Sequence, residues 1–458
     1  MSFRITAHRK QQLKYILVDA ISAECVWLLF LLFRWVIRDD LFGWDTVLIP
    51  AFSFYRPLIL FPLGSLLVYY LSGFYLRPQP QNKRIGQVVG STFMCALIIS
   101  LGSFFIIIID DKIDDYTDYY LSLLVLFGMQ FMVSLLFRLC LLWIEKSRWK
   151  RGRIVEKTVI LGNKEASESL AQKLQEEDKP LMVGPQEVEA LPEIAKKERV
   201  NRVIIAMGNE MSKETLYQLI NTIYPLKVEI CIAPSAYDIL VGAARIKDLE
   251  STPLVTITDY SMKDWEVCVK RALDVLVSLL CLVLLSPVYL ILAILVKTSS
   301  KGPVIYKQER IGMFGRPFEI LKFRTMREDA EQDDVPQLTT ADDARITPIG
   351  HWLRKYRLDE LPQFWNILRG DMSIVGPRPE RAYYIQQIME KAPYYCLLYK
   401  IRPGLTSWGP IKVGYTDTID KMIQRLDYDM AYMENMSLLL DIKILFYTIR
   451  VVVDGKGQ

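Results

Sequence analysis

The sequence predicts a membrane protein that consists of a four-helix transmembrane bundle, a small Rossmann-like α/β domain and a mainly α-helical C-terminal domain with a re-entrant membrane helix. Three observations predict this order: four long apolar runs, an alternation of short β-type runs with helix-like stretches, and a proline-broken apolar run. The expected domains are residues 1–150, 151–262 and 263–458. A chain of 458 residues is long enough for about three such units.

Composition and charge narrow the classes of protein to which this chain can belong. Apolar residues make up 51% of the chain and the mean hydropathy is +0.18, and the excess is concentrated in long runs, which indicates membrane segments. The net charge of +4 argues against nucleic acid as a partner. The two histidines, His8 and His351, are too few for most zinc sites and catalytic triads. The seven cysteines form no C-x-x-C motif and predict no disulfide framework.

Four apolar runs are each close to the ~20 residues that cross a bilayer. They lie at about 15–37, 54–76, 86–109 and 119–144. Lysine and arginine precede the first run, lie between the second and third, and follow the fourth, whereas the other two loops are mixed or acidic. Because basic loops stay on the cytoplasmic side, we expect the chain to return to the cytoplasm near residue 150.

A fifth apolar run, Leu273 to Val296, is also long enough to cross. Basic residues flank both of its ends, so both ends favour the cytoplasmic face. Ser286 and Pro287 lie in its middle, where a proline breaks or kinks a helix. We therefore predict a re-entrant helix at about 268–298 with a structural break at Ser286 and Pro287. The alternative is a fifth span with a tolerated proline, which would place the C-terminal third outside.

The segment between residues 155 and 260 alternates between short β-type runs and helix-like stretches. The runs are 158–161, 202–206 and 227–232, and the stretches lie near 164–177, 187–199 and 212–223. This alternation predicts a small doubly wound α/β domain. Its first turn has one glycine, Gly162, where a dinucleotide site would have G-x-G-x-x-G. A packing or dimerisation module is therefore favoured over a nucleotide site, and a small anionic ligand at a helix start stays open.

The segment after the fifth run is strongly basic and includes Lys322 and Arg324. Such a strip beside a membrane segment suits phosphates or lipid headgroups, or simple anchoring to anionic lipid. Further on, the adjacent acids Asp359 and Glu360 follow Arg354 and precede Arg378. An acid pair in so basic a segment is not expected of a mere surface anchor.

The acid pair has two interpretations. With Pro362 in the first turn of a following helix, both acids could simply complement the helix dipole. Alternatively, Asp359 could attack phosphorus, which requires that a metal and cationic side chains neutralise the phosphate. Glu360 would then help to hold Mg²⁺, and Arg354 and Arg378 would bind phosphate.

Seven motifs appear in order in the C-terminal part. They are K-R-x-x-D at 270–274, S-P at 286–287, G-P-V-I-Y-K-Q-x-R-I-G at 302–312, L-K-F-R-T-M at 321–326, L-D-E-L-P-Q at 358–363, G-D-M-S-I-V-G-P-R-P at 370–379 and R-P-G-L-T at 402–406. On these motifs the stretch 264–455 resembles the bacterial sugar transferases, the polyisoprenyl-phosphate hexose-1-phosphate transferases. The four predicted spans and the degenerate α/β domain resemble the long members of that family.

The resemblance implies a monotopic catalytic domain on the cytoplasmic face of the bacterial inner membrane. It implies that Asp359 attacks the β-phosphate of a UDP-sugar, releases UMP and carries the sugar phosphate until undecaprenyl phosphate accepts it. This is the first membrane step of exopolysaccharide, capsule or O-antigen assembly. Glu360 would bind Mg²⁺, and the phosphate-binding residues would be Arg354, Arg378, Lys322 and Arg324. Membrane lipid and a second copy in a homodimer are the other implied partners.

Several alternatives stay open from the sequence. The sugar is expected to be a hexose such as glucose or galactose, with an N-acetylated sugar as the near alternative. After R-P-G the family usually continues T-G-W-A-Q, whereas residues 406–410 here are T-S-W-G-P, in a region where the donor sugar could be recognised. One rival is a non-catalytic scaffold that regulates polysaccharide export. Another is a glycosyl transferase, which would release UDP.

Overall fold

The structure is a computed structural model, and the part of the chain that it describes comprises residues 2–37, 51–72, 75, 85–110, 116–150, 157–174, 180–184, 190–198, 200–206, 213–226, 228–233, 254–256, 262–327, 343–414 and 418–453. The chain divides into two compact units. The first comprises Met1–Arg153 with Met262–Leu276, and the second comprises Ile154–Ser261 with Val277–Gln458. This division is coarser than the three predicted domains, whose boundaries stay predictions.

The described residues between 2 and 150 of the first unit form four long helices. They are α1 (Ser2–Ile37), α2 (Ala51–Leu71), α3 (Ile85–Asp110) and α4 (Tyr116–Lys150). Stretches in α1, α3 and α4 are long and apolar enough to span a membrane, whereas the apolar part of α2, Leu58–Leu71, is shorter. The described residues therefore support a membrane protein with three of the four predicted spans. The charged loops at 38–40, 77–84 and 111–115, on which the predicted orientation depends, lie outside the described residues.

A buried ion pair joins the helices of this unit. Arg138 on α4 donates from Nε to Oδ1 of Asp19 on α1 at 2.9 Å and from Nη2 to Oδ2 at 3.0 Å. The same guanidinium donates to Thr92 Oγ1 at 3.0 Å, and the Tyr75 hydroxyl donates to Asp19 Oδ2 at 2.8 Å. Charges this deep are tolerated only when they are paired and hydrogen-bonded. The pair therefore fixes how α1, α3 and α4 pack.

Replacing Asp19 with asparagine should destabilise this unit by about 3 kcal/mol, because it leaves the Arg138 charge buried without its counter-charge. The measurement is the thermal unfolding midpoint of the full chain in detergent. As a control, Glu198→Gln removes an exposed ion pair with Lys157 and should leave the midpoint unchanged. An Asp19→Asn midpoint equal to that of the control would contradict the structural role of the pair.

The fifth apolar run forms two helices, α8 (Asp264–Leu284) and α9 (Ser286–Ser299), which meet at a bend of 64°. The bend lies at the predicted break, because Pro287 cannot donate a backbone hydrogen bond and its ring disfavours the preceding helical turn. Length and composition fit either a broken span or a re-entrant loop. Near the start of α8, Arg271 Nε donates to the carbonyl of Leu71 at 3.0 Å, which ties this helix to α2 within the first unit.

The middle segment forms a small, mainly parallel sheet, and the predicted strands are confirmed. The strands are β1 (Lys157–Gly162), β2 (Leu181–Val183), β3 (Val200–Ala206), β4 (Glu229–Ile232) and β5 (Val255–Thr256), and the helices between them are α5 (Lys164–Leu174), α6 (Leu191–Lys197) and α7 (Lys213–Ile223). The sheet order is β2-β1-β3-β4-β5, in which only the β4–β5 pair is antiparallel.

The single glycine at the end of β1 has a packing role. A Cβ on Gly162 would lie 2.7 Å from the carbonyl oxygen of Ala206 on β3, so only glycine lets the two strand ends approach this closely. Backbone packing therefore explains Gly162 without a phosphate ligand.

Elsewhere, α7 contacts the C-terminal part of the chain, where the ring centroids of Tyr217 and Tyr394 lie 4.8 Å apart.

The described residues of the C-terminal part are mostly helical and form two small strand pairs. The strands β6 (Ile305–Ile311) and β7 (Pro317–Phe323) form an antiparallel hairpin, and β8 (Ser373–Val375) pairs in parallel with β9 (Gly404–Thr406). The helices are α10 (Pro348–Lys355), α11 (Gln363–Arg369), α12 (Ala382–Lys391), α13 (Trp408–Val413), α14 (Ile419–Glu434) and α15 (Leu438–Val453).

Candidate active site

The acid pair, hereafter the dyad, lies in one 3-10 turn between α10 and α11. Arg357, directly before this turn, has a φ of 54°, a left-handed conformation that costs energy for a residue with a side chain. The turn redirects the chain so that Asp359 and Glu360 are both buried, at 7% and 6% exposure. The predicted helix follows and begins at Gln363. A strained residue beside two buried acids is typical of a functional site.

Helix α9, the second half of the bent α8–α9 segment, contacts the turn that carries the dyad. The Tyr289 hydroxyl on α9 donates to the carbonyl of Leu361, the residue after the dyad, at 2.8 Å. Leu292 and Val296 on the same helix form one apolar cluster with Leu353 of α10. The turn that carries the dyad is therefore attached directly to α9.

A buried asparagine positions Lys322 against the dyad. Asn366 on α11 accepts from the backbone N–H of Leu321 at 3.0 Å and donates to the carbonyl of Glu319 at 2.7 Å. These two bonds fix β7 against α11. Lys322, next to Leu321, then reaches Glu360 Oε1 at 3.1 Å.

Three cations surround the Glu360 carboxylate. Lys322 and Arg378 both donate to Oε1 at 3.1 Å, and Arg357 donates to Oε2 at 3.4 Å. Burial opposes the charged form of Glu360, but these three charges outweigh burial and hold its pKa well below the usual range. The cationic side chains are 20–32% exposed whereas that of Glu360 is 8% exposed. An approaching phosphate would therefore meet the cations first.

Asp359 has a different environment from its neighbour. Within the part of the chain that the structure describes, no hydrogen bond or ion pair reaches its carboxylate. Burial raises the pKa of Asp359 to about 6, and the charge of Glu360 adds to this rise. The charges of Lys322, Arg354 and Arg357 act in the opposite direction. The result is a buried carboxylate without a fixed partner beside a group of cations.

Arg354 is placed by close packing between α10 and the end of β7. The hydroxyl of Thr347 caps α10 by accepting from the N–H of Gly350 at 3.0 Å. Gly350 lies so close to the strand that a Cβ would be 2.1 Å from the carbonyl oxygen of Thr325. Arg354 Nε donates to Thr325 Oγ1 at 2.9 Å, and its charge acts on Asp359. It is thus close enough to the dyad to influence the nucleophile candidate.

Arg324, by contrast, binds backbone carbonyls. Its guanidinium donates to the carbonyls of Ser300 at 2.7 Å and Val296 at 3.4 Å, and also to that of Pro303. Two of these carbonyls belong to the end of α9 and its C-cap, where a cation is favourable. The contacts of Arg324 favour a structural role over the phosphate role predicted for it.

The loop 376–380 delivers Arg378. Gly376 on this loop and Gly404 at the start of β9 are so close that a Cβ on Gly404 would lie 2.2 Å from the nitrogen of Gly376. The N–H of Gly404 also donates to the carbonyl of Pro377 at 2.8 Å. The close approach of the two backbones therefore requires glycine at both positions. Arg378 directly follows Pro377 on this loop.

The carboxylate oxygens of the dyad are of the type that binds a magnesium ion. Mg²⁺ commonly binds one or two carboxylates together with substrate phosphate oxygens. Asp359 and Glu360 supply such carboxylates, although the oxygens of Glu360 are already engaged by three cations. Asp359 is therefore the more accessible of the two as a ligand. Among the described residues, no cluster of three or more acidic, histidine or cysteine ligands occurs.

Fold and site together describe a membrane protein with a buried acid pair beside a group of cationic side chains. Residues 265–455 match the family model described as bacterial sugar transferase. A UDP-glucose:undecaprenyl-phosphate glucose-1-phosphate transferase of Escherichia coli is 37% identical over 267 residues, which cover 57% of this chain and 56% of that protein. The exopolysaccharide production protein ExoY of Sinorhizobium fredii is 40% identical over 203 residues, which cover 41% of this chain and 87% of that protein. The chain belongs to the bacterial sugar transferase family.

A third relative differs in the sugar that its name states. It is a UDP-N-acetylgalactosamine-undecaprenyl-phosphate N-acetylgalactosaminephosphotransferase of Aeromonas hydrophila, 40% identical over 218 residues, which cover 48% of this chain and 51% of that protein. The matched region spans only about half the length of this relative and of the Escherichia coli protein. The family model places its match in the C-terminal part of the chain, at residues 265–455.

Three residues near the site were not singled out from the sequence: Arg357, which donates to Glu360, and Glu380 and Arg425, which pair with each other. Arg357 follows a run of basic residues in which no single arginine stands out, and only its positive φ distinguishes it. Glu380 directly follows the G-P-R-P motif, so its position was a usable signal. Arg425 lies on an amphipathic helix 47 residues after Arg378, and no local pattern connects the two.

Proposed function

We propose that this protein transfers a hexose-1-phosphate from a UDP-sugar to undecaprenyl phosphate through a phosphosugar-aspartyl intermediate on Asp359. The observation that carries the proposal is the asymmetry of the dyad. Glu360 holds three cations, whereas the carboxylate of Asp359 accepts no hydrogen bond from the described residues. Glu360 thus holds the cationic side chains in place, and Asp359 is available to attack phosphorus.

In the first step, an Asp359 carboxylate oxygen attacks the β-phosphorus of the donor. A new P–O bond forms, the bond from this phosphorus to the bridging oxygen breaks, and that oxygen leaves on UMP. Lys322, Arg357 and Arg378 are positioned to neutralise the charge on the phosphoryl oxygens. Their partial exposure allows them to exchange contacts with Glu360 for contacts with phosphate.

In the second step, a phosphate oxygen of the lipid attacks the same phosphorus and the Asp359 carboxylate leaves. The product is a lipid diphosphate sugar, and the carboxylate is regenerated. The same cations serve both displacements, because the charge develops on the same phosphoryl group. A Mg²⁺ ion held by Glu360 and Asp359 would neutralise part of the diphosphate charge. Arg354 is proposed to add positive charge beside the nucleophile.

The relatives favour glucose as the sugar, since the one named for glucose transfer matches 57% of this chain, against 48% for the one named for N-acetylgalactosamine. The relative named for N-acetylgalactosamine, at 40% identity, keeps an N-acetylhexosamine as the second candidate. A small pocket beside Arg357 and Arg378 is lined by Ser407 and Pro410, two positions at which the chain departs from the usual motif. We propose that this segment influences which donor fits.

The membrane arrangement belongs to the same proposal. We propose four N-terminal spans, a re-entrant α8–α9 hairpin and a catalytic domain on the cytoplasmic face of the bacterial inner membrane. The basic residues at both ends of the α8–α9 segment and the 64° bend support this arrangement. The middle domain is proposed to be a degenerate Rossmann-like module. A homodimer and a role at the start of exopolysaccharide assembly complete the proposal, and the Sinorhizobium fredii relative is named for exopolysaccharide production.

Product analysis tests the proposed reaction. Purified protein in lipid particles with Mg²⁺ and undecaprenyl phosphate is given UDP-glucose, UDP-galactose or an N-acetylated UDP-sugar in turn, and UMP and UDP are quantified. We expect release of UMP with one preferred donor. Release of UDP would indicate glycosyl transfer instead. Absence of product with every donor would favour the non-catalytic scaffold.

The rate of the first step should depend on pH through Asp359. Its pKa is raised to about 6, so below that pH the carboxyl is protonated and cannot attack. The single-turnover rate of UMP release without acceptor should fall about tenfold for each pH unit below the pKa and level off above it. Omitting the acceptor removes the titration of the lipid phosphate from the profile. A constant rate from about pH 5 to about pH 8 would contradict a carboxylate nucleophile with a raised pKa.

A further inference from the structure

Glu380 lies two residues after Arg378 and is buried at 4% exposure. Its carboxylate bridges two arginines from distant parts of the chain. Arg310 on β6 donates to Oε2 at 3.1 Å, and Arg425 on α14 donates to Oε1. Arg425 Nε also lies 3.7 Å from Asp429 Oδ2. A buried carboxylate that joins two remote guanidiniums fixes the backbone that carries it.

The backbone around Glu380 is held as firmly as its side chain. The N–H of Ile311 donates to the carbonyl of Glu380 at 3.1 Å, and Arg310 Nη1 donates to the carbonyl of Pro379 at 3.2 Å. On the other side, the carbonyl of Pro377 accepts from Gly404 at 2.8 Å. Arg378 is thus the residue between two fixed peptide groups. Its guanidinium extends from this rigid loop to Glu360.

Charge balance gives Glu380 a second effect on Arg378. Arg310, Arg378 and Arg425 all act on the Glu380 carboxylate and hold its pKa below the usual range, although burial acts in the opposite direction. Without this carboxylate, three guanidiniums would face one another in a poorly solvated region. Arg378 is the most exposed of the three, so we expect it then to turn towards solvent and away from Glu360.

We propose that Glu380 is a positioning residue for Arg378: it holds the guanidinium at the dyad and ready to bind substrate phosphate. The kinetic part of this proposal rests on the proposed function. The structural part does not, because it concerns only where the Arg378 side chain lies in the protein without substrate.

The structural part is tested by chemical labelling of the full chain with phenylglyoxal, an arginine-selective reagent, followed by peptide mass spectrometry. In Glu380→Gln, the labelling rate of Arg378 should rise severalfold while unrelated arginines such as Arg202 react as before. The matched control is Glu319→Gln, which removes an exposed ion pair with Lys307 and should change neither. An unchanged Arg378 rate in Glu380→Gln would overturn the proposal.

A double-mutant cycle tests the kinetic part. Glu380→Gln should lower kcat/KM about tenfold in the otherwise natural protein but leave it almost unchanged in an Arg378→Ala background. Equal losses in both backgrounds would overturn the positioning role. If Glu380→Gln does not fold, Arg310→Lys, which keeps a cation opposite Glu380 but loses the guanidinium contacts, should raise the labelling of Arg378 in its place. If no donor gives product, the proposed function fails and the labelling result still decides where Arg378 lies.

Discussion

Asp359→Asn should abolish turnover, with a loss in rate of about 10³-fold or more. An amide cannot form the acyl phosphate on which both steps depend. Side-chain size is unchanged, and the described residues make no hydrogen bond to the Asp359 carboxylate that the amide could break. The measurement is UMP release in lipid particles, with and without acceptor. Both the first step and overall turnover should be lost together.

The matched control is Asp420→Asn, the same substitution at an exposed acid that pairs with Lys391. This variant should retain normal turnover, because exposed pairs contribute little to stability. Comparable unfolding midpoints for the two variants would show that Asp359→Asn is folded. Near-normal turnover of a folded Asp359→Asn protein would remove Asp359 from the mechanism.

Glu360→Gln should lower kcat/KM by about 10²-fold, because it removes the charge that holds the cationic side chains in place. Lys322, Arg357 and Arg378 would then repel one another without a compensating carboxylate. Stopped assays over a range of donor concentrations would measure the effect. Slow formation of the Asp359 intermediate should remain, in contrast to Asp359→Asn, since the nucleophile is still present.

Glu319→Gln is the appropriate comparison for Glu360→Gln, because Glu319 lies three residues from Lys322 on β7 and its ion pair is exposed. It should retain normal kcat/KM. Full activity of Glu360→Gln would mean that the three cations bind phosphate without the carboxylate that holds them in the unliganded protein. The account of the dyad as a pair with divided roles would then be wrong.

Most of the candidate site could be predicted from the sequence because its residues lie in compact motifs. Lys322, Glu360 and Arg378 come from three different motifs, and the structure places a nitrogen of Lys322 and a nitrogen of Arg378 each 3.1 Å from Glu360 Oε1. The break at Ser286 and Pro287 was predictable from proline chemistry alone. The strands of the middle domain were predictable from their β-branched runs.

The remaining features depend on long-range packing that no local pattern records. Arg324 has the same charge and nearly the same position as Lys322, yet it binds the carbonyls at the end of α9. Arg425 reaches Glu380 only because α14 packs against α13, with the Arg425 side chain against Gly409. The shorter apolar stretch of α2 likewise depends on where its helix begins and ends, which hydropathy alone does not define.

The most direct test of the central claim is mass spectrometry of the protein after incubation with the preferred UDP-sugar and Mg²⁺ in the absence of undecaprenyl phosphate. The account predicts one hexose phosphate per active chain, located on the peptide that contains Asp359, with an equal amount of UMP released. Addition of undecaprenyl phosphate should then remove the adduct. Turnover to lipid product with no adduct on that peptide, or an adduct on another residue, would contradict it.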